Sequence, residues 1–262
     1  QLAKDRNKNI SKDLQSQISA FLKESKGVIE LFASEKVFKT DNIEEIESSL
    51  ENIGDNYSQY HLVYFGSKAG EMINPFAEYD DSYDPRERPW YKQALKSNDT
   101  IWTDTYIDAA TGDLVITVAK KVLDNSNNLK GVIAADISLE YISNLISETK
   151  VGENGITYLV NSSGGIIAHP DPELVNQDFN VNKMFNINEL RSDNRGVFEY
   201  EYNNEEFLAS YAAIEEIGGT VFAQIPLEEA YAANSKVLRA TIILSVIVLI
   251  VLLTAVILYI SR

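Results

Sequence analysis

Tyr83-Asp84-Pro85-Arg86-Glu87-Arg88-Pro89-Trp90-Tyr91-Lys92-Gln93-Ala94 packs two arginines, two prolines, a tryptophan and two tyrosines into twelve positions. Proline fixes φ and disfavours helix at the residue before it. The stretch is therefore extended or turning up to Pro89, and a helix starts there, because proline suits a first helical position. A stiff backbone carrying Arg88, Trp90 and Tyr91 is suited to holding a small anion. Guanidinium offers a planar fork to a carboxylate, indole one N–H, and phenols offer donors beside an apolar face. The same residues would equally make a rigid loop with an arginine stacked on tryptophan and no ligand. The stretch alone does not choose between the two.

Upstream, residues Asp5 to Ser34 read as one long helix. Ile10, Leu14, Ile18, Phe21, Leu22, Ile29 and Phe32 recur at spacings of three and four or their sums. That apolar stripe has to pack on something, either a domain or a twin helix. Ser34 to Asn56 is polar, with a short helix over Ile43 to Leu50. The pattern then changes to strands: His61 to Phe65, a turn over Gly66 to Gly70, and Glu71 to Phe76. Downstream of the opening stretch, Trp90 to Lys96 has helical spacing. Ile101 to Ile107, Leu114 to Leu123 and Gly131 to Ile137 read as strands, with turns at Thr111-Gly112-Asp113 and Asn125 to Asn128. Leu139 to Ser147 is a helix with Ser138 as N-cap. A second, smaller strand set follows: Gly155 to Asn161, Gly165 to Ala168, Gly196 to Tyr202, Glu206 to Ala213 and Gly219 to Ile225. Asn161-Ser162-Ser163-Gly164 is a hairpin turn. Pro226 fits the first turn of a helix that runs on through Arg239.

Composition sets the outer limits. The 262 residues suffice for one or two domains. A net charge of -16 argues against nucleic acid and against adsorption to anionic lipid. Without cysteine there are no disulfides, thiol nucleophiles or Cys-based metal sites. His61 and His169 are too few for a histidine metal cluster, and each reads as a loop or core residue. No metal and no cofactor are expected. No strong internal repeat stands out. From Ala240 to Ile260 no residue is charged and Ile, Leu and Val dominate, between Arg239 and Arg262. Such a run spans a bilayer core as a helix. A buried core helix is the poorer reading, since the run is apolar all round. No signal-peptide pattern opens the chain. A fragment cut at both ends is the expectation.

With these pieces placed, the chain resembles the extracytoplasmic double Cache domain of bacterial transmembrane receptors. The resemblance rests on Tyr83 to Ala94, Tyr106 to Gly112, Gly131 to Ile137 and Ile166 to Asp171, in that order and spacing, and covers nearly the whole chain. It implies an α/β (α+β) architecture: a long N-terminal helix, two PAS-like Cache modules with antiparallel sheets flanked by helices, and a C-terminal transmembrane helix. The implied division is a helix over 1–35, a membrane-distal ligand-binding module over 36–150, a membrane-proximal module over 151–226, a connecting helix over 227–239 and a span over 240–260. A subset of the family binds amino acids through a Tyr, an Arg five residues on, Trp-Tyr after one more residue, then a later Tyr and a later Asp. This sequence has Tyr83, Arg88, Trp90, Tyr91, Tyr106 and Asp136. By resemblance, Arg88, Trp90 and Tyr83 hold the α-carboxylate, and Tyr91, Tyr106 and Asp136 the α-ammonium.

Charge chemistry agrees with that split. A zwitterion needs a cationic fork at one end, which Arg88 supplies permanently, and an anion at the other. Asp136 sits in an apolar strand, and a half-buried carboxylate needs a cation. An internal pair of Asp136 with Arg88 or Arg86 would satisfy the same need. Asp108, Thr111 and Gly112 read as hairpin builders, and His169-Pro170-Asp171 as a loop closure.

The resemblance implies the sensor part of a membrane receptor, a methyl-accepting chemotaxis protein in the first instance. The residues before about 240 would lie outside the cell membrane, with an L-amino acid as ligand and a homodimer formed through the N-terminal helix. A small carboxylate or amine as ligand, and a histidine kinase or nucleotide cyclase as the receptor type, are the alternatives within the same fold. A membrane-anchored enzyme fares worse, because no nucleophile has an evident base.

Overall fold

The computed structural model describes residues 1–175, 179–190, 193–232 and 241–249. Helix α1 spans Leu2–Ser34. Its stripe residues Leu14, Ile18, Leu22 and Ile29 are all 2% exposed or less. They are buried inside this one chain, against two sheets in succession. Near the N-terminus the Asn7 amide donates to the carbonyls of Leu208 (3.2 Å) and Ala223 (3.0 Å), and the Ser210 hydroxyl donates to the Asn7 carbonyl (2.7 Å). Near the other end the Tyr60 hydroxyl donates to the Ser25 carbonyl, and Thr100 to the Glu30 carboxylate. The stripe is thus spent on intramolecular packing and does not call for a twin helix.

The first sheet contains β1 (Leu62–Ser67), β2 (Met72–Ile73), β3 (Ile101–Trp102), β4 (Tyr106–Ile107), β5 (Leu114–Leu123) and β6 (Leu129–Ser138). Its order is β2-β1-β6-β5-β3, with β4 also on β5, and every pairing is antiparallel. Helices α2 (Ile43–Asn56) and α3 (Pro89–Lys96) accompany it. One face carries Val63, Phe65, Ile116, Val118, Ile133 and Ala135 into the core shared with α1. The other carries Leu62, Tyr64, Ala119 and Ala134 against Trp90, Tyr91 and Ala94 of α3. This alternation is the period-two geometry of a strand buried on both faces.

Helix α4 (Leu139–Ser147) follows β6 without a break, and its N-cap Ser138 accepts from the Tyr141 N–H (3.1 Å). The second sheet contains β7 (Ile156–Val160), β8 (Ile166–Ala168), β9 (Arg195–Tyr202), β10 (Glu205–Ile214) and β11 (Gly219–Pro226), in the order β8-β7-β11-β10-β9, again antiparallel throughout. A single-turn helix α5 (Ile187–Leu190) lies between β8 and β9.

Three expectations shift. The strand expected over Ile101 to Ile107 is split in two. The Thr103 hydroxyl accepts the Thr117 N–H (3.0 Å), so a side chain stands where a ladder carbonyl would be. The strand expected over Glu71 to Phe76 stops at Ile73, because the Asn74 side chain caps the Phe76 N–H (2.9 Å) in a local turn around Pro75. Pro226 closes β11, and helix begins only at 227. That helix is described to 232; residues 233–239 of the expected connector lie outside the described residues. Of the apolar run 240–260, residues 241–249 are described, as exposed helix, and the rest lies outside the described residues. Among the described residues no helix is long and apolar enough to cross a membrane.

Candidate functional site

The Asp84 carboxylate accepts from the Arg86 N–H (2.9 Å) and clasps the Arg86 guanidinium, which closes a 3-10 turn over Pro85–Glu87. Arg88 then sits extended (φ -81, ψ 150) as the N-cap of α3, with Pro89 at the first helical position, as the proline spacing requires. This turn delivers Trp90, 1% exposed, onto β1. Gly66 makes the contact possible: a Cβ there would meet the indole at 2.7 Å.

Arg86 is therefore committed to Asp84, and Arg88 is not. Arg88 is half-buried, with its guanidinium 5.7 Å from the Tyr83 ring centre and 5.9 Å from that of Tyr106. Nη2 donates to the Ile107 carbonyl (3.3 Å), and buried Nε has no partner. Tyr83 also packs on Tyr79 at 4.4 Å between ring centres. Burial pushes the Tyr83 phenol up to about 12, with Arg88 and the Trp90 N–H pulling against it.

Opposite lies Asp136 on β6, with 0% exposure. Its Oδ1 accepts from Thr117 (2.5 Å) and Tyr64 (2.7 Å), and the Tyr106 hydroxyl oxygen lies 3.3 Å from it. Its Oδ2 is buried without a partner. Desolvation raises this carboxyl to about 7, in spite of the hydrogen bonds from Thr117 and Tyr64. Among the described residues neither Asp136 nor Arg88 is in an ion pair, so the internal pairing that competed with a ligand is not made. Tyr106 links the two groups: its ring centre lies 5.9 Å from the Arg88 guanidinium and its hydroxyl oxygen 3.3 Å from Asp136 Oδ1.

Five of the six candidate residues meet here: Tyr83, Arg88, Trp90, Tyr106 and Asp136. The sixth, Tyr91, is buried on the same helix, but its hydroxyl donates to the Ser67 carbonyl (3.3 Å), away from Asp136. Asp108 builds the hairpin as expected: its Oδ2 takes the N–H groups of Ala110 (2.9 Å) and Thr111 (2.8 Å) and the Thr111 hydroxyl. His169 closes its loop by accepting the Asp171 N–H at Nδ1 (2.9 Å).

Sequence reasoning missed Tyr64 and Thr117. Thr117 pairs directly across from Asp136, and Tyr64 lies two residues along β1 from Asp136's other partner, Leu62. The available signal was a lone threonine inside an apolar strand. It points nowhere until strand pairing puts it on the face of Asp136.

Comparison with known proteins adds three findings. The model of the family described as Cache domain matches residues 1–233. The chain is 31% identical over 204 residues to the methyl-accepting chemotaxis protein McpC of Bacillus subtilis, covering 77% of this chain and 30% of that protein. It is 36% identical over 157 residues to the methyl-accepting chemotaxis protein PscA of Pseudomonas syringae, covering 60% of this chain and 24% of that one. The chain thus spans about a third or less of the length of these relatives. Its fold is shared with the ligand-binding domain of the Pseudomonas aeruginosa amino acid chemoreceptor PctB solved with L-Arg (TM-score 0.73, 23% identity, 87% of this chain and 97% of that one). It is likewise shared with the ligand-binding domain of the Pseudomonas fluorescens chemoreceptor CtaA solved with L-isoleucine (TM-score 0.70, 24% identity, 87% and 94%). Two antiparallel sheets on one long helix, together with a family match over nearly the whole described chain, make this protein a member of the double Cache family.

Proposed function

We propose that this chain is the extracytoplasmic sensor of a transmembrane chemotaxis receptor and that it binds an α-amino acid between Arg88 and Asp136. The observation that carries the reading is a pair of orphaned polar atoms, one on a guanidinium and one on a carboxyl: Arg88 Nε and Asp136 Oδ2 are both buried without partners. A zwitterion supplies both missing partners at once. Arg88, Trp90 and Tyr83 take the carboxylate. Asp136 and Tyr106 take the ammonium, with cation–π support from the ring. Tyr91, which the resemblance assigns to the ammonium, serves here as packing behind Trp90.

The relatives named as methyl-accepting chemotaxis proteins and the neighbours solved with L-Arg and L-isoleucine support the reading. In this reading ligand is sensed by the distal module, 36–150. The proximal module, 151–226, and the connector, 227–239, relay the change, and the apolar run 240–260 crosses the cell membrane. The chain senses and performs no catalysis. Tethering in one bilayer favours a homodimer through the outward face of α1, where Leu31 is exposed.

The test is titration calorimetry with amino acids and with analogues lacking one end. Arg88→Ala and Asp136→Asn should each weaken an amino acid by about thirty- to a thousandfold, roughly 2 to 4 kcal/mol. The deaminated analogue should lose less than the parent against Asp136→Asn, and the decarboxylated amine less against Arg88→Ala. A folded Asp136→Asn that binds the parent amino acid as tightly as the wild type would sink the reading.

A further inference from the structure

Thr117 stands across the ladder from Asp136 and is 0% exposed. A hydroxyl has one hydrogen to give, and that of Thr117 goes to Asp136 Oδ1 at 2.5 Å. The Tyr106 hydroxyl, 2.6 Å from the Thr117 oxygen, must then donate into it. Tyr64 donates to the same Oδ1 at 2.7 Å. All three hydroxyl hydrogens are placed, and Oδ2 is left over, buried and unpartnered.

Among the described residues no cation pairs with this carboxyl. From the β4–β5 loop comes Asp108, a like charge. From the loop before α3 come the phenols of Tyr79 and Tyr83, both raised by burial and so neutral. Arg88 at the head of α3 is engaged with the Tyr83 and Tyr106 rings and the Ile107 carbonyl. His61, ahead of β1, gives its backbone N–H to the Asp136 carbonyl (2.7 Å), while its ring pairs with Asp113 (3.0 Å). A fully buried carboxylate with no counter-charge is costly and is avoided by holding a proton.

We propose that Thr117 is a positioning residue of the ammonium subsite: it anchors Oδ1, so that Oδ2 carries a proton in the empty site and exchanges it for the ligand's ammonium. The inference rests on the amino-acid reading and adds its regulation by pH. In the exchange the carboxyl O–H bond breaks, the proton leaves to solvent, and the ammonium keeps its own hydrogens while donating one to Oδ2. No covalent bond to the ligand forms. Burial and the Thr117 hydrogen bond act in opposite directions on this carboxyl. Thr117→Val, which keeps shape and branching but removes the donor, should make the proton harder to displace.

The experiment measures affinity from pH 5.5 to 8.5 for whichever of the twenty L-amino acids gives the largest thermal shift. For the wild type, affinity should fall about tenfold per pH unit below pH 7 and level off above it. Heats in buffers of different ionisation enthalpy should show about one proton released per ligand at pH 6 and close to none at pH 8.5. Thr117→Val should lose about tenfold at pH 6 to 7, with the loss shrinking as pH rises, and Thr117→Ser should restore the wild-type profile. Affinity independent of pH with no proton release, or an equal loss for Thr117→Val at every pH, would overturn the inference. Infrared spectra of the unliganded chain supply a separate readout: a protonated-carboxyl band at pH 6, absent in Asp136→Asn. If no amino acid binds at any pH, the amino-acid reading falls and the band decides this inference alone. A band that titrates near neutrality, and higher in Thr117→Val, supports it; its absence at pH 5.5 overturns it.

Discussion

Tyr64 and Tyr158 stand at the same point of their two sheets. The strand orders correspond one to one, β2-β1-β6-β5-β3 against β8-β7-β11-β10-β9. Across the ladder Tyr64 faces Ala134, and Tyr158 faces Phe222. Two residues along, Leu62 faces Asp136 and Ile156 faces Gln224. In the first sheet the small Ala134 leaves Tyr64 free to meet Trp90, 4.9 Å between ring centres, and to reach the carboxyl. In the second, Phe222 stacks on Tyr158 at 5.0 Å and 10°, with Phe185, Phe198 and Tyr211 around it. The Gln224 amide oxygen accepts from Tyr200. The same frame therefore holds a polar centre with an unpartnered carboxyl oxygen or a filled aromatic core, according to two positions on the central strand. On the proposed reading the first arrangement serves binding, and the second serves packing.

The largest effect should come from emptying the filled side. Phe222→Ala should cost roughly 3 to 5 kcal/mol of unfolding free energy, the usual cost of a large cavity in an aromatic core, measured by denaturant titration. The converse change, Ala134→Phe, should abolish amino-acid binding by occupying the space over Tyr64. Amino-acid affinity that survives Ala134→Phe would break the comparison.

The second effect sets function against stability at Asp136. Its carboxyl is raised from 3.8 to about 7 in the folded chain, so between those values the native state holds more protons than the unfolded one. Stability is then lost as pH rises through that window and is flat above it. Asp136→Asn should melt higher than the wild type at pH 8, by up to a few kcal/mol, and about equally at pH 4. Thermal melts at the two pH values check the sign. No such pH-dependent difference should accompany Gln224→Ala.

Smaller effects test how each sheet is tied to its neighbours. Asn7→Ala removes two hydrogen bonds from α1 to the Leu208 and Ala223 carbonyls and should cost about 1 to 2 kcal/mol. Ser138→Ala removes the cap that turns β6 into α4 and should cost about 1 kcal/mol. Hydrogen exchange should place the first loss at the second sheet and the second loss at the start of α4.

Much of this plan was legible before any coordinates. The helix over 89–96, the long strands β5, β6, β10 and β11, the Ser138 cap and the Asn161–Gly164 turn follow from periodicity and turn chemistry, which are local. Five of the six motif residues converge because proline geometry sets Arg88 and Trp90 at the head of α3. What stayed hidden depends on partners distant in sequence. Thr117 becomes informative only through its register with Asp136. The likeness of the two sheets is one of strand order and of single positions such as Tyr64 and Tyr158, too sparse to stand out as a repeat. The stripe of α1 has a visible period, but what covers it is set by the tertiary fold.

Helix α1 is one unbroken rod of 33 residues, about 50 Å long at 1.5 Å per residue. It is fastened to β10 and β11 through Asn7 and, toward its far end, to Tyr60 and Thr100. Two bodies fixed to a common strut cannot swing apart like the halves of a clam shell. Their remaining kinematic freedom is a small roll or slip along the strut, the shear class of motion. A ligand seated at Asp136 would therefore reach the segment at 227–232 as an ångström-scale stroke at constant overall length. Scattering dimensions would stay still while a distance measured from the start of α1 to that segment changed.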